Sequence, residues 1–237
     1  MSIFLALPSY DLKLDTRANN AINYESGKII RVTDPRSWSW IPYVFNLSWC
    51  ECLNRRAEFG VNYFMMLHAD IIPQFGFAAM MLEEMQRTGA HVLSAVSPFK
   101  SASGLTSTAL RIPEKSNRRL TIREIAKLPK TFALEDCLRL ETNATHLMTN
   151  TGLMIVDLNF VEALGQHRKR LHFAGRDWLD EDANGKLTPR MFPEDWFFSK
   201  TAADLGGKVM ATRKVKLTHL GQIGYENQGE WGKETDN

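Results

Sequence analysis

The chain has no apolar run approaching the ~20 residues that a membrane-spanning helix requires, so membrane association is expected to be peripheral or absent. Its apolar start, Ile3-Phe4-Leu5-Ala6-Leu7, is ended by Pro8 and has no basic segment before it, so it reads as a first strand rather than a leader. Charge of either sign is not in large excess: 29 Lys and Arg stand against 27 Asp and Glu, a net +2. That balance argues against a sequence-independent nucleic-acid binder, and any anion recognition must be local. Cysteine is scarce. Cys50, Cys52 and Cys137 cannot pair completely, and the first two lie two apart in a helical pattern that points them away from each other, so a reducing cytoplasm is expected. Zinc-finger spacing is absent, as is the G-x-x-x-x-G-K-[ST] loop of P-loop NTPases. Internal repeats, linkers and low-complexity tracts are also missing.

What remains is an ordinary globular composition over 237 residues, 44% hydrophobic and 24% charged, enough for one large core and requiring no second domain. Residues 1–225 are expected to form that domain, and 226–237 a polar tail. The apolar periodicity alternates. A strand at Ile3–Leu7 is followed by a polar helix around Thr16–Tyr24, a strand at Lys28–Thr33, and a helix through Phe45, Trp49, Cys52 and Leu53 that stops by Gly60. Val61–Leu67 then reads as a buried strand, Gly76–Thr88 as a helix stopped by Gly89, and His91–Val96 as the next strand. This order predicts an α/β fold with a mainly parallel sheet flanked by helices. In such sheets ligands bind beyond the carboxyl ends of the strands, where Pro8-Ser9-Tyr10, Thr33-Asp34 and His68-Ala69-Asp70 all fall.

The second half is less regular. Ser97–Ser107 reads as a loop, Thr121–Glu124 has capping-box spacing, Gly152–Leu158 is another strand, and Arg176–Phe192 reads as a long polar loop. Pro193-Glu194-Asp195 opens a helix that ends near Gly206-Gly207, and Val209–Thr218 reads as strand.

The chemistry-bearing residues sit at these junctions. Asp70, leaving an apolar strand beside His68, can hold a divalent cation against a diphosphate, since Mg²⁺ and Mn²⁺ prefer carboxylate and phosphate oxygen and Mn²⁺ accepts imidazole. The alternative is that Asp70 caps the next turn and His68 is a hydrogen-bonded strand-end residue. His219, followed by Leu220 and Gly221, is a candidate third ligand, or else a satisfied surface histidine. Glu194 and Asp195 lie at a helix N-terminus, where capping alone accounts for two acids; a catalytic reading has one of them take a proton from an acceptor hydroxyl. Arg118-Arg119 and His167-Arg168-Lys169-Arg170 can meet an anionic acceptor or form a solvated basic face.

The series Leu7-Pro8-Ser9-Tyr10, His68-Ala69-Asp70, Asn150-Thr151-Gly152, Pro193-Glu194-Asp195 and His219-Leu220-Gly221 resembles the ordered landmarks of GT-A glycosyltransferases, family-2-like members in particular, over nearly the whole chain. Phe45-Asn46 through Trp49, the loop from Lys100 to Thr108 and Glu194-Asp195-Trp196-Phe197-Phe198 also resemble a bacterial and phage subgroup of glycosyltransferase-like proteins. The resemblance implies a GT-A, Rossmann-like single domain acting on a nucleotide diphospho-sugar, UDP- or GDP-linked, with Mn²⁺ or Mg²⁺. It implies donor contacts from Pro8, Ser9, Tyr10, Asp34, Asn46, His68, Lys100 and Gly152, with Asp34 near the base. It implies metal ligands in Asp70, His219 and His68, and Asp195 beside Glu194 as the base of an inverting transfer to a glycan or other hydroxyl acceptor. His68 departs from the pattern, which usually carries Asp there, and takes one negative charge from the metal site. Two rival readings stay open: another metal-dependent enzyme acting on nucleotides, such as a nucleotidyltransferase or phosphate-ester hydrolase, and a glycan-binding module without catalysis.

Overall fold

Strand β1 (Ile3–Ala6) sends Ile3 and Leu5 into one hydrophobic cluster and Phe4 and Ala6 into another, because successive side chains of a strand face opposite ways. The strand is therefore buried on both faces, as an apolar run without alternation predicts. The computed structural model describes residues 2–229 other than 26, 28, 34–36, 38, 114–116, 182 and 222. After β1 come α1 (Thr16–Tyr24), β2 (Ile29–Val32), α2 (Ile41–Asn54), α3 (Arg56–Phe59), β3 (Tyr63–Leu67), β4 (Ile71–Pro73), α4 (Phe77–Thr88) and β5 (Val92–Ala95). The middle holds β6 (Leu105–Arg111), β7 (Arg118–Thr121), α5 (Ile122–Ala126), β8 (Thr131–Phe132), α6 (Leu134–Cys137), β9 (His146–Met148), β10 (Leu153–Asp157) and α7 (Leu158–Ala163). A 3-10 turn at Gly165–Arg170 leads to β11 (Arg176–Glu181), β12 (Leu187–Phe192), α8 (Glu194–Asp204), β13 (Val209–Thr212), β14 (Leu217–Leu220) and β15 (Gly224–Glu226).

The central sheet has the order β2-β1-β3-β10-β5-β13-β8. Helices α1 and α4 cover one face through Ala21, Ile22, Phe77, Met81 and Met85, while α2, α7 and α8 cover the other through Phe45, Trp49, Val161 and Phe198. The expected α/β architecture is present, and the sheet is mixed rather than mainly parallel. β2, β1 and β3 run parallel and so do β5 and β13, but β10 lies antiparallel between β3 and β5, and β8 is antiparallel to β13. An apolar run marks a buried strand without recording its direction, so the sequence carried no sign of the inversion.

Two other expectations change. Arg176–Phe192 is not a loop: β11 and β12 form a two-stranded ribbon in register from Arg176 opposite Phe192 to Glu181 opposite Leu187. The hairpin signal was Asn184-Gly185, with Gly185 at φ 77°, and Pro189 within the second strand masked it. Val209–Thr218 is two strands, of which β14 leaves the central sheet and pairs with β4 and β15. The capping box at Thr121 and Glu124 forms as the spacing predicts. In the segment expected to be a polar tail, Asn227 is fully buried, donating to the Val215 carbonyl and accepting from the Leu217 N–H. All three cysteines are free thiols, and burial pushes Cys52 and Cys137 up to about 12, so neither is a nucleophile at neutral pH. Among the described residues no helix is long and apolar enough to cross a membrane.

Candidate active site

The carboxyl ends of β1 and β3 open onto a cavity of 660 Å³ walled by Pro8, Ser9, Tyr10, Val44, Phe45 and Asp70. The loop after β1 is tied to the end of β3 by the Ala69 N–H donating to the Pro8 carbonyl at 3.1 Å. Ser9 donates to the Lys13 carbonyl at 2.9 Å, which folds the loop, and the Tyr10 ring is 95% exposed at the rim. Asp34 lies outside the described residues. Its neighbour Thr33 is buried and accepts from the Leu7 N–H, so β2 delivers the chain to the same edge.

Asp70 stands in the turn between β3 and β4. The pairing of β4 with β14 then sets His219 opposite Ile71, and the Leu220 N–H donates to the Asp70 carbonyl at 2.8 Å. These bonds bring together side chains 149 positions apart in sequence: His219 Nε2 lies 3.4 Å from Asp70 Oδ2. The His219 Nδ1–H donates to the Pro98 carbonyl at 2.7 Å, because a carbonyl only accepts, and this turns Nε2 toward Asp70. Lys100 Nζ reaches the same Asp70 oxygen at 2.5 Å. Gly221 makes room for that reach, since a Cβ there would meet the Lys100 Cβ at 3.1 Å. Burial would raise the Asp70 carboxyl, but hydrogen bonds from His219 and Lys100 outweigh it and hold the group well below the usual carboxylate range. Asp70 is therefore a carboxylate throughout the neutral range.

His68 has another role. Its backbone N–H donates to the Gly152 carbonyl, its Nε2 sits 3.1 Å from Thr151 Oγ1, and its ring lies 5.2 Å from that of Phe45. Burial lowers its pKa to about 4, against the pull of the Asp70 charge, so the imidazole is neutral. Gly152 packs behind it: a Cβ there would come within 2.8 Å of Ser97 Oγ, a close approach that requires glycine. Asn46 is not brought to this cavity. Its side chain exchanges two hydrogen bonds with the Phe173 backbone and borders a separate space with Tyr43 and Gly175.

The donor set bears on the metal. Asp70 Oδ2 and His219 Nε2 converge, and because Nδ1–H is committed to the Pro98 carbonyl, Nε2 is the ring nitrogen that donates to Asp70 while it carries a proton and that would ligate once it gives that proton up. Among the described residues no group of three His, Cys, Asp or Glu stands together to enclose an ion. A two-ligand set still fits Mg²⁺ or Mn²⁺, which are commonly held by one or two protein side chains plus substrate phosphates. Lys100 supplies positive charge on Asp70.

Asp195 lies outside the cavity lining but is joined to it through three consecutive residues. Pro98 accepts from His219, Lys100 pairs with Asp70, and between them Phe99 stacks under the Arg119 guanidinium at 4.4 Å. The same guanidinium lies 4.3 Å from the centre of the Trp196 ring, next to Asp195. Arg118 pairs with Glu124, so of the two arginines that read alike in sequence one is structural and one is held against aromatic rings. Nothing in the sequence distinguished them, because the partners Phe99 and Trp196 are remote along the chain. Asp195 Oδ1 accepts from the Trp196 N–H at 2.7 Å. Burial and the neighbouring Glu194 raise its carboxyl to about 8, with Arg119 opposing. Burial raises Glu194 as well.

No protein-family model matches this sequence, and no curated protein matches it. Among solved structures it is similar to A197 from STIV, with 12% identity, a TM-score of 0.56, and coverage of 100% of this chain and 99% of that one. That similarity establishes a shared fold over the full length of both chains. A proposed UDP-N-acetylglucosamine pyrophosphorylase from Entamoeba histolytica aligns at 9% identity over 89% of this chain and 73% of that one, with a TM-score of 0.43, too distant to bear on function. The class defined at this level is an α/β protein with a mixed central sheet flanked by helices.

Proposed function

We propose that the chain is a glycosyltransferase that binds a nucleotide diphospho-sugar at the Asp70 cavity and passes the sugar to a hydroxyl acceptor. The observation that carries this reading is the convergence of Asp70, His219 and Lys100 at the mouth of a 660 Å³ cavity beyond the carboxyl ends of β1 and β3. The ordered resemblance to GT-A landmarks supports it. In this reading Pro8, Ser9 and Tyr10 flank the nucleoside, with Asp34 on the base side. His68 and Gly152 shape the floor, and Lys100 holds phosphate oxygen as a point charge. Asp70 and His219 would hold Mn²⁺ or Mg²⁺, which when bound neutralises charge on the departing diphosphate. Asp195, raised toward neutrality, takes the acceptor proton as the oxygen attacks from the face opposite the diphosphate, giving an inverted product.

The test is a thermal-shift panel of UDP-, GDP-, CMP- and dTDP-sugars with Mn²⁺ or with chelator, followed by analysis of the released nucleotide. A ligand that binds only the folded state raises its melting temperature. Stabilisation by one nucleotide class and release of nucleoside diphosphate are expected. Pyrophosphate release from a nucleoside triphosphate would replace this reading with a nucleotidyltransferase, and no response to any nucleotide would reject it.

A further inference from the structure

Beside α8, on a different wall of the molecule, lies a second concave space of 530 Å³ whose lining includes Arg111, Arg170, Arg176 and Lys200, with Trp178 and Phe197. Four elements build it: the end of β6, the 3-10 turn, the β11–β12 ribbon and the helix α8. Its charge is one-sided. The acid in its wall, Asp204, is already engaged by Lys200 at 2.6 Å and by His146 at 3.0 Å. Arg111 bonds the neutral Asn117 amide, and among the described residues neither Arg170 nor Arg176 has a carboxylate partner. Three guanidinium groups thus line one space whose carboxylate, Asp204, is committed to other partners.

The floor is aromatic. Phe197 carries the Arg176 guanidinium 5.4 Å from its ring centre and the His172 ring at 5.3 Å. Trp178 stands in the ribbon wall, 47% exposed. An exposed indole on a ribbon strand costs apolar hydration unless a partner covers it, and a flat ring suits the C–H face of a sugar. Arginine forks match carboxylate and phosphate in two-bond geometry.

We propose that this cavity binds an anionic glycan, one bearing sugar-linked carboxylate or phosphate. The inference rests on the transferase reading, in which such a glycan is the acceptor. The cavity adjoins the proposed base, because Phe192 in its wall packs edge-on against Trp196 at 6.1 Å, and Trp196 carries Arg119 beside Asp195. Glycan rather than nucleic acid is favoured by the confined volume, within the ~300–1,000 Å³ range of small-ligand pockets, and by a chain net charge of only +2.

The experiment measures binding by tryptophan fluorescence and calorimetry with four probes: a polygalacturonate tetrasaccharide, a phosphorylated oligomannoside, neutral maltotetraose and a single-stranded oligonucleotide. Binding of the uronate or the phosphate probe, falling with salt, is expected, and which of them binds identifies the anion. Arg176→Ala and Arg170→Ala should each weaken that binding roughly 10-fold or more, and Trp178→Ala should abolish the fluorescence change. The nucleotide-induced thermal shift at the Asp70 cavity should be unaltered in all three variants. Equal binding of maltotetraose, tighter binding of the oligonucleotide through the same residues, or no binding of either acidic glycan would overturn the inference. Loss of the nucleotide response in the unmodified chain instead rejects the transferase reading, so the two failures are distinguishable.

Discussion

Replacing Asp195 by Asn separates a general base from a helix cap, because the carboxylate has opposite consequences for activity, in the proposed mechanism, and for stability. Burial and the Glu194 charge raise this carboxyl from 3.8 to about 8. The folded chain therefore holds a proton that the unfolded chain releases between those two values. The contribution of this group to stability is full below pH 3.8, declines as the pH rises toward 8, and is flat beyond. The displacement sets an upper bound of about 6 kcal/mol, which partial solvent access reduces to about 1–3 kcal/mol. Asn keeps the oxygen that accepts the Trp196 N–H and removes the titration. Asp195→Asn should match the parent in denaturant midpoint near pH 3 and exceed it near pH 9, where about 1–3 kcal/mol corresponds to roughly 2–10 °C. Sugar transfer should fall by ~10² to 10⁴ on the plateau above about pH 8, with the deficit shrinking as the pH falls and the parent's own Asp195 takes up a proton. The parent's transfer rate should climb with pH to a plateau above about 8, as Asp195 ionises. Near-parental transfer by Asp195→Asn above pH 8, or a stability difference constant between pH 3 and 9, would refute the reasoning.

Lys100→Met should strip the ammonium from Asp70 Oδ2 and raise the affinity for Mn²⁺ alone, while nucleotide binding weakens; titration calorimetry reads both, and unchanged Mn²⁺ affinity would show that Lys100 does not compete for that oxygen. Glu84, buried beneath Arg87 and Lys214, has its carboxyl held down to about 2, first by the Arg87 hydrogen bond and then by Lys214 against the cost of burial. Because that value lies below the unfolded 4.5, its contribution is present above pH 4.5 and is lost as the pH falls toward 2. Glu84→Gln should therefore cost about 2 kcal/mol at pH 7 and almost nothing at pH 2, read by denaturant melts. Trp49→Phe removes the indole N–H that donates to the Leu171 carbonyl at 2.9 Å and opens space among Phe64, Phe173 and Phe198. A loss of about 2–3 kcal/mol is expected from equilibrium unfolding, and a loss below about 0.5 would show that the site repacks.

Local order was legible along the chain because short-range chemistry decides it. The helix spanning Phe77–Thr88, its stop at Gly89, the buried run before His68 and the Thr121 capping box follow from apolar period, left-handed glycine and reciprocal capping. Placement of Asp70 at a strand's carboxyl end follows from the same pattern. Three things needed the tertiary structure. Strand direction was one, since β10 reads as the same apolar run whether parallel or inverted. The company each polar group keeps was another: Lys100 on Asp70, Asn46 on the Phe173 backbone, and Arg119 on Phe99 and Trp196 are contacts between residues 20 to 127 positions apart. The ribbon that walls the basic cavity was the third, because its strands are exposed on both faces and so lack the half-buried alternation by which strands are recognised. The sequence by itself determined the elements and their order. Which side chains meet was decided only by packing, because charge pairing and aromatic stacking depend on distance in space and leave no periodic trace along the chain.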